Sequence, residues 1–501
     1  MSFIKRIKKN GRIYLAEVES QRINGKIKTK YLKYLGKEAD GKTILSSSIS
    51  NAAIDKIKLY GPLLLLNHLA QEISLSEILG EYGDEILSLV YAHCLDYKSI
   101  SRMKHWFEQT DLNMILDIDG LTEARLLSAL DSLEENSPEF IQRRIFEEVQ
   151  KKYKLEVKGL LYDVTNTYLF GKNCSIAKLG KSKEGRCGKP LIQIGLGVTQ
   201  KEGIPVFHKV YDGNIHDSRT FQDAITYFEE YKIKDGIFVF DRGITSKEAQ
   251  SRMKKIKWKV LCGFSLTDRL KEMIELEIEN KSFSDIKSRV LLNKTMFHVV
   301  QKDYVIGDIK GKLAICFNEQ QRLDLNHSLY DEIMNAKLLL SNKKNIKSGL
   351  EKFFSKSGKL LTEQIEQEEK FHGYSCIFTT AKLTSEQMVH HYFEKDLVEK
   401  AFQSLKGVVR LRPIRHWLYN RVIAHVFICY LSYLLLSILK LRLTKINLSP
   451  AKALQELDTL YKVYMHDSKK GFKVSRVVAL NKMQEKILKT VDKKLIQECR
   501  Q

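Results

Sequence analysis

The sequence predicts an α/β protein in which a mainly α-helical N-terminal region precedes a mixed core that is interrupted by a β-containing insertion. Two observations carry this prediction. Apolar residues recur at helical intervals over residues 54–153, and strand and helix patterns alternate over residues 155–265. With 501 residues, of which 43% are hydrophobic, the chain is long enough for several domains, and its composition excludes wholesale disorder and a fibrous protein.

The chain is strongly basic, which favours a polyanionic partner. It carries 83 Lys and Arg against 61 Asp and Glu, a formal net charge of +22 at pH 7. Nucleic acid is the commonest polyanion that binds soluble proteins, because each neutralised phosphate releases a condensed counterion. A lysine-rich genome would raise the same sum, so the charge favours nucleic acid without establishing it.

Neither the cysteines nor the N-terminus indicates export, so a cytoplasmic, nucleoid-associated location is expected. The eight cysteines are scattered without a C-x-x-C pair or the spacing of a zinc site. Residues 1–15 are basic but precede no apolar run, so no signal peptide is predicted. The apolar run from Val422 to Leu439 is as long as a short membrane span. We predict a buried core helix and no membrane partner, because the run is short and contains His425, Ser432 and Ser437.

The first 154 residues divide into two predicted regions. Residues 1–50 are predicted to be a basic β-hairpin region, because apolar and polar residues alternate around Asn24-Gly25. Residues 51–154 have helical periodicity and are dotted with Lys and Arg. This helical region is predicted to bind DNA. A packing subdomain is an equally weighted alternative, because no helix-turn-helix spacing decides between the two.

Residues 155–265 form the first half of the predicted core. The predicted elements are strands at 160–170, 191–198 and 204–211, a helix from Asp217 or Ser218, a strand at 237–240, a helix at 245–257 and a strand at 259–264. The order β-β-β-α-β-α-β is the one that the first half of an RNase H-like nuclease core shows.

The remaining residues are predicted to form an insertion, the rest of the core and a tail. Residues 266–370 contain short strands and a Lys-rich helical piece, and we interpret them as an insertion domain. The second half of the core, 371–445, contains a strand at 373–380 and one long helix from Ser385 to Lys406. Residues 446–501 are predicted to be a basic C-terminal tail.

Two aspartates in the core are candidates for the chemistry. Asp163 lies in the middle of a hydrophobic strand, and Asp241 directly follows a short apolar strand. If these strands are adjacent and parallel, the two carboxylates face each other. An acidic residue in such a strand is costly unless it is paired or binds metal, and carboxylates hold the divalent cations with which enzymes cleave phosphodiesters. A hydrogen-bonded structural aspartate is the alternative for either residue alone.

The predicted helix of residues 385–406 supplies further candidates. Tyr392, Glu399 and Lys406 are seven residues apart and line one stripe of the helix, with Lys395 beside them. A solvated helix face is the ordinary interpretation of such a stripe, and spacing alone favours it.

These motifs together resemble a known family. LYDVTNTYLF around Asp163, FVFDRGITS around Asp241 and the Y-x2-K-x3-E-x6-K helix are similar to the DDE transposases of prokaryotic insertion sequences. They resemble the branch that has a Y-x2-R-x3-E-x6-K signature, as do the following LRPIRHW and RVIAHVFICYLSYLLL. The resemblance covers residues 155–265 and 370–440.

The resemblance implies a DNA transposase that cleaves at transposon ends and transfers the freed 3′-hydroxyl into target DNA. It implies that Asp163, Asp241 and Glu399 are the catalytic triad and hold two Mg²⁺ or Mn²⁺ ions. Lys406 is expected to contact the phosphate near the scissile bond, and Tyr392 to brace the terminal nucleotides. The implied partners are double-stranded DNA, at the transposon ends and at the target, and a second copy of the chain in a homodimer on DNA.

Other residues beside the triad have more than one expected role. Lys395 stands where the family has Arg, and lysine offers a point charge instead of a bidentate fork. Arg242 is expected either to clamp a phosphate or to hold Asp241 ionised. Trp417 stacks on a flipped base in one interpretation and packs in a core or an interface in the other, more frequent one.

Two alternative functions stay open at this point. A nuclease of the same fold would keep the triad and cleave DNA without strand transfer. A non-catalytic DNA-binding protein derived from a transposase would keep the positive charge and lose the metal ions.

Overall fold

The structure is a computed structural model, and the residues that it describes form a mixed α/β protein. The described residues are 2–9, 12–23, 26–39, 42–45, 52–135, 138–169, 173–180, 188–215, 217–231, 236–241, 258–342, 345–467 and 473–500. The chain divides into two compact units. The first comprises residues 1–65, 105–120 and 452–501, and the second comprises residues 66–104 and 121–451.

The described strands and helices are numbered in chain order. The strands are β1 (Ser2–Lys9), β2 (Arg12–Ile23), β3 (Lys26–Ala39), β4 (Lys42–Leu45), β5 (Ala52–Leu59), β6 (Gly159–Tyr168), β7 (Lys178–Leu179), β8 (Pro190–Thr199), β9 (Pro205–Asp212), β10 (Ile237–Phe240), β11 (Lys259–Phe264), β12 (Arg289–Leu292), β13 (Thr295–Ile306), β14 (Ile309–Phe317), β15 (Tyr374–Thr379), β16 (Tyr461–Asp467) and β17 (Lys473–Val477). The helices are α1 (Gly61–Glu72), α2 (Leu75–Leu79), α3 (Gly83–Leu95), α4 (Ile100–Glu108), α5 (Leu112–Ile115), α6 (Glu123–Glu135), α7 (Pro138–Tyr153), α8 (Asp217–Glu230), α9 (Asp268–Glu279), α10 (Glu319–Ser341), α11 (Thr362–Glu369), α12 (Ser385–Phe393), α13 (Asp396–Lys406), α14 (Tyr419–Leu443), α15 (Pro450–Leu457), α16 (Lys482–Val491) and α17 (Lys493–Arg500).

The first unit begins with an antiparallel sheet of order β1-β2-β3-β4. Ile23 at the end of β2 pairs with Lys26 at the start of β3, which leaves two residues for the turn. This register confirms the predicted hairpin, because Asn-Gly suits a two-residue turn. The hairpin belongs to a larger N-terminal sheet, since β1 pairs along β2 and β4 pairs with β3.

The C-terminal residues contain helices and strands, and one of these strands pairs with a distant segment. β16 pairs antiparallel with both β5 and β17 in a sheet of the first unit. Tyr464 in β16 donates a hydrogen bond to the buried carboxylate of Asp111, and Lys462 lies 3.3 Å from the same carboxylate. β5 also corrects the start of the predicted helical region. Local periodicity could not reveal this pairing, because the partner strands are distant in the sequence.

The second unit is built on a sheet that has ten strands in the described residues. Its order is β12-β13-β14-β15-β11-β10-β6-β8-β7, with β9 paired to β8. β6, β10 and β11 run parallel, whereas β6, β8 and β9 are antiparallel neighbours. The first and fourth predicted core strands, β6 and β10, are therefore adjacent and parallel, as expected. The predicted helix 245–257 lies outside the described residues.

The strands of the predicted insertion extend this sheet instead of forming a separate one. β14 pairs antiparallel with β15, and β13 and β12 continue outward from β14. The pairing satisfies the backbone groups of β15 that a sheet edge would leave exposed. Another part of the insertion has a small core of its own, in which Ile333 and Ala336 of α10 pack with the buried residues Leu350, Phe353 and Phe354.

The predicted single helix from Ser385 to Lys406 is in fact two helices, α12 and α13. The predicted strand before it, β15, is confirmed. Between the helices, the backbone N–H groups of Lys395, Leu397 and Val398 donate to carbonyls three residues earlier. This pattern tightens one turn toward 3₁₀ geometry. The tightened turn, called the α12–α13 joint below, corrects the prediction of a uniform helical stripe through Tyr392 and Glu399.

The apolar run predicted to be a core helix is the buried helix α14. Among the described residues, it is the helix long and apolar enough to cross a membrane by length and composition, and 89% of its apolar window is buried in the protein. It packs against α3, α6 and β9. The prediction of a core helix is confirmed, since neighbouring elements supply the apolar surroundings that a bilayer would otherwise provide.

Replacing a buried ring of α14 tests this packing. Phe427 is fully buried and stacks on His208 and Tyr430 at centroid distances of 5.5 and 5.9 Å. Phe427→Ala is expected to lower the free energy of unfolding by about 3–5 kcal/mol, because it leaves a cavity. Lys440→Ala, at an exposed position in the last turn of the same helix, is the control and is expected to cost within about 0.5 kcal/mol. Urea unfolding followed by circular dichroism measures both, and equal costs would contradict the described packing.

Candidate active site

Two parallel strands bring Asp163 and Asp241 side by side. Their register pairs Phe240 of β10 with Tyr162 of β6, and the next residue on each side is an aspartate. Residues level with each other on parallel strands project to the same face, and adjacent strands lie about 4.8 Å apart. Asp163 is only partly buried, whereas the other residues of β6 are buried. The pair therefore lies where the sequence predicted it.

Asp241 is contacted by two groups from the predicted stripe. The hydroxyl of Tyr392 donates to Oδ1 of Asp241 at 2.8 Å, and Nζ of Lys395 lies 3.5 Å from the same oxygen. Nζ of Lys395 is also 3.3 Å from the hydroxyl oxygen and 4.7 Å from the centre of the Tyr392 ring. Both groups thus meet at one oxygen of a carboxylate whose side chain remains 38% exposed.

The approach of Tyr392 to Asp241 depends on a glycine in the neighbouring strand β11. A Cβ atom at Gly263 would lie 2.3 Å from the Tyr392 hydroxyl and 3.3 Å from Oδ1 of Asp241. Any larger residue would displace the tyrosine, so Gly263 makes room for the contact. Sequence reasoning missed this residue, because a glycine inside a strand gives no sign of the side chain that approaches it. The charge of Asp241 also contributes, after burial, to raising the pKa of the adjacent thiol of Cys262.

The α12–α13 joint explains how both lysine and tyrosine reach the same carboxylate. Glu394 in the joint accepts a hydrogen bond from Gln200 and lies 3.1 Å from Nδ1 of His391. These contacts hold the tightened turn in place while Tyr392 and Lys395, on either side of it, point to Asp241.

The far end of α13 is attached to the strand that carries Asp163. Nζ of Lys406 donates to Oγ1 of Thr165 at 2.7 Å. Thr165 is two residues after Asp163, so the two side chains project to the same face of β6. α13 packs against β6 and β8 on that face. Glu399 is exposed and lies two helical turns before Lys406 on the same stripe.

The carboxylates of Asp163, Asp241 and Glu399 do not form a tight cluster. In the part of the chain that the structure describes, the three residues whose possible metal-ligand atoms lie within 4.8 Å of one another are His93, His425 and Cys429. The chemistry of the aspartate pair nonetheless fits a hard divalent cation, because carboxylate oxygens are the ligands that Mg²⁺ and Mn²⁺ favour. Arg242 lies outside the described residues.

The cluster of His93, His425 and Cys429, called the His93 cluster below, was not predicted from the sequence. Its two histidine rings contact backbone carbonyl oxygens. Nδ1 of His93 is 2.7 Å from the carbonyl oxygen of Val409, and Nε2 of His425 is 3.2 Å from that of Leu411. A ring nitrogen that donates its proton to a carbonyl is not available as a metal ligand. The buried histidines therefore fix the segment that follows α13. No local signal could have shown this, since His93 and His425 lie on different helices.

Two other residues that could carry chemistry, Trp417 and His208, have different surroundings. Trp417 is 62% exposed and lines a surface cavity of about 260 Å³ with Tyr97, Arg415 and His416. It is therefore not a core residue, and its packing in an interface or on a base stays a prediction. His208 is buried with Nδ1 2.8 Å from Oε1 of Gln142, and burial lowers its pKa to about 3, which indicates a structural role.

Comparisons with known proteins give distant structural similarity alone. No protein-family model matches the sequence, and no curated protein matches it. Among solved structures, the chain is similar to piggyBac transposase in a cryo-EM structure of its synaptic complex with hairpin DNA. The TM-score is 0.40 at 11% identity, over 88% of this chain and 84% of that chain. At this score the similarity does not establish a shared fold, and the function is argued from the residues.

The buried histidines make the stability of the protein depend on pH. Burial lowers the pKa of His93 to about 4, so that between pH 6.5 and 4 the unfolded chain binds a proton that the folded chain does not. The free energy of unfolding is therefore expected to fall as the pH falls through this range, with about 3 kcal/mol attributable to His93. Urea unfolding of the wild type and of His93→Gln at a series of pH values measures the difference.

The matched control replaces an exposed histidine. His105→Gln is expected to keep the pH dependence of the wild type, because His105 is exposed on α4. If His93→Gln retained the full pH dependence of the wild type, His93 would not be the buried neutral base described here.

Proposed function

We propose that this protein is a DNA transposase with an RNase H-like catalytic core. The observation that carries the proposal is the level placement of Asp163 and Asp241 on adjacent parallel strands, with Tyr392, Lys395 and Lys406 directed to the same face. Acidic groups suited to divalent cations and basic groups suited to phosphates thus share one surface of the sheet. A phosphodiester is the substrate that needs both.

The topology of the sheet supports an RNase H-like core. The strands in spatial order β9-β8-β6-β10-β11 comprise three antiparallel neighbours followed by two parallel additions. This is the arrangement that the sequence order β-β-β-α-β-α-β predicts for that fold. The two aspartates fall on its central strands, where a catalytic pair of an RNase H-like enzyme is expected.

We assign Asp163, Asp241 and Glu399 as the residues that would hold two Mg²⁺ or Mn²⁺ ions. When bound, such ions stabilise the negative charge that develops on the attacking and leaving oxygens of a phosphodiester. Glu399 lies on a different helix from the stripe residue Tyr392, and the α12–α13 joint sets its position relative to the aspartates.

The basic residues of the site position the DNA backbone. Lys406 holds a positive charge beside Thr165, on the same face as Asp163, where a phosphate oxygen would accept a charge-assisted hydrogen bond. Lys395 contacts Asp241 through a flexible stem, so it can exchange that carboxylate for a phosphate when DNA is present. Tyr392 is 9% exposed and its hydroxyl donates to Asp241, so its role in this arrangement is to position that carboxylate, and the expected contact with terminal nucleotides stays a prediction.

The proposed reaction consists of two in-line displacements at phosphorus. In the first, water forms a bond to the phosphorus at the transposon end, loses a proton, and breaks the bond to the 3′-oxygen, which leaves as a 3′-hydroxyl. In the second, this hydroxyl attacks a phosphorus of the target DNA, loses its proton, and releases a 3′-hydroxyl of the target. Double-stranded DNA is the substrate in both, and a homodimer is proposed because two ends must be joined together.

Neutralising either aspartate tests the proposed chemistry. Asp163→Asn and Asp241→Asn are each expected to lower the rate of Mg²⁺-dependent cleavage at least about 10³-fold, because each removes a metal ligand. Asp212→Asn, at the exposed end of β9, is the matched control and is expected to cleave like the wild type. The substrate is labelled DNA that carries the repeats flanking the gene, and gels resolve both nicked and joined products.

The outcomes separate the proposal from its two alternatives. Nicking at the repeat boundary with joining to target supports the transposase. Nicking without joining identifies a nuclease, and binding without any cleavage identifies a non-catalytic DNA-binding protein. If Asp163→Asn and Asp241→Asn cleaved like the wild type, the assigned site would be wrong.

Removing the charge of Lys406 tests its assigned phosphate contact. Lys406→Met is expected to slow single-turnover cleavage about 10-fold to 100-fold, which corresponds to the loss of one hydrogen bond to a charged group. Lys400→Met removes an equal charge from the exposed side of α13, where Lys400 pairs with Asp396, and is expected to have little effect. Equal cleavage rates for the two variants would contradict a phosphate contact specific to Lys406, because both variants remove one positive charge.

A further inference from the structure

One face of the N-terminal sheet combines aromatic rings with lysines. In an antiparallel ladder, residues directly opposite each other share a face of the sheet. Two successive rows on the same face cross β1, β2 and β3, and they consist of Phe3, Val18 and Tyr31 and of Lys5, Ala16 and Tyr34. Tyr14 belongs to the same face, because its ring lies 6.2 Å from that of Tyr34. We call this surface the aromatic face.

The rings of the aromatic face are exposed although the residues between them are buried. Phe3, Tyr31 and Tyr34 are 48%, 57% and 48% exposed. Ala16 and Val18, on the central strand, are 4% and 0% exposed. Single exposed rings are common on protein surfaces, but three on one face of a small sheet are a concentration that indicates a binding site.

The acidic residues in the described part of the sheet lie on one of its two faces. The charged side chains on the aromatic face, within the part of the sheet whose side chains are described, are Lys5, Lys9, Arg12 and Lys37. The opposite face carries both signs of charge, and its charged residues are Glu17, Glu19, Glu38, Arg6, Lys8, Lys30 and Lys33. There, Arg6 pairs with Glu38 at 3.1 Å and Ser2 donates to Glu17 at 2.7 Å. The aromatic face therefore presents rings among positive charges.

We infer that the aromatic face binds single-stranded nucleic acid. Unpaired bases stack on exposed aromatic rings, and lysines beside the rings contact the backbone phosphates. A duplex cannot use the rings in this way, because its bases are already stacked on each other. A protein partner with an acidic surface would match the charges alone, whereas the three exposed rings are explained by bases. The site is distinct from the helical region that the sequence predicted to bind DNA.

The inference concerns binding and does not depend on cleavage. It needs neither Asp163 nor Asp241 nor a divalent cation. Binding is therefore measured with the full-length protein in the presence of EDTA, by fluorescence anisotropy of labelled oligothymidylate, oligouridylate and duplex DNA. Because binding is scored without a divalent cation and without any cleavage step, failure of the proposed catalytic function and failure of this inference give different results.

Removing a ring is the decisive change. Tyr31→Ala and Tyr34→Ala are each expected to weaken the binding of the single strands about tenfold, which corresponds to the loss of one stacked base, and to leave duplex binding unchanged. Tyr31→Phe keeps the ring and is expected to bind like the wild type. Ile4→Ala is the matched control, because Ile4 is a large apolar residue, 65% exposed, on the opposite face of the same sheet.

The remaining outcomes contradict the inference. Wild-type affinity of Tyr31→Ala and Tyr34→Ala for single strands would show that the rings do not stack on bases. An equal loss in Ile4→Ala, or an equal loss of duplex binding, would show that the effect does not come from the aromatic face. Circular dichroism of each variant shows whether the protein is folded. Tyr31→Phe shows whether a loss of binding in Tyr31→Ala comes from the missing ring or from the missing hydroxyl. A preference for oligothymidylate or oligouridylate distinguishes DNA from RNA as the partner.

Discussion

Two carboxylates placed level on neighbouring strands repel each other, and the surrounding structure compensates for this repulsion. Asp163 and Asp241 occupy these positions because β10 lies parallel to β6 in a register that ends in an aspartate. A positive charge and a hydroxyl from the α12–α13 joint contact Asp241, and Gly263 leaves the space for them. The arrangement keeps two acidic groups close together and accessible, as the binding of a divalent cation requires.

The helix that follows the joint, α13, is held at both of its ends. Its N-terminal side is fixed by the contacts of Tyr392, Lys395 and Glu394, and its last residue, Lys406, is hydrogen-bonded to β6. Beyond it, His93 and His425 hold the backbone of the next segment against the buried helix α14. The long apolar helix thus serves the site indirectly, because it is the rigid support on which that segment rests.

The sequence was informative where structure is local and less so where it depends on distant partners. The strand that carries Asp163, the strand that ends at Asp241, the N-terminal hairpin and α14 follow from periodicity and composition. The break between α12 and α13 could not be predicted, because it arises from contacts of Glu394 and Lys395 with other elements. The pairing of β16 with β5 and the His93 cluster join residues that are hundreds of positions apart. The role of Gly263 requires knowledge of the ring that approaches it.

The central claim is that Asp163 and Asp241 act together as a divalent-cation site. It is tested most directly by titrating the protein with Mn²⁺ in the absence of DNA and measuring free Mn²⁺ by electron paramagnetic resonance. The account predicts that the wild type and the exposed-strand control Asp212→Asn bind Mn²⁺ alike, whereas Asp163→Asn and Asp241→Asn each lose most of this binding. Equal binding by all four proteins would contradict the assignment of the aspartate pair.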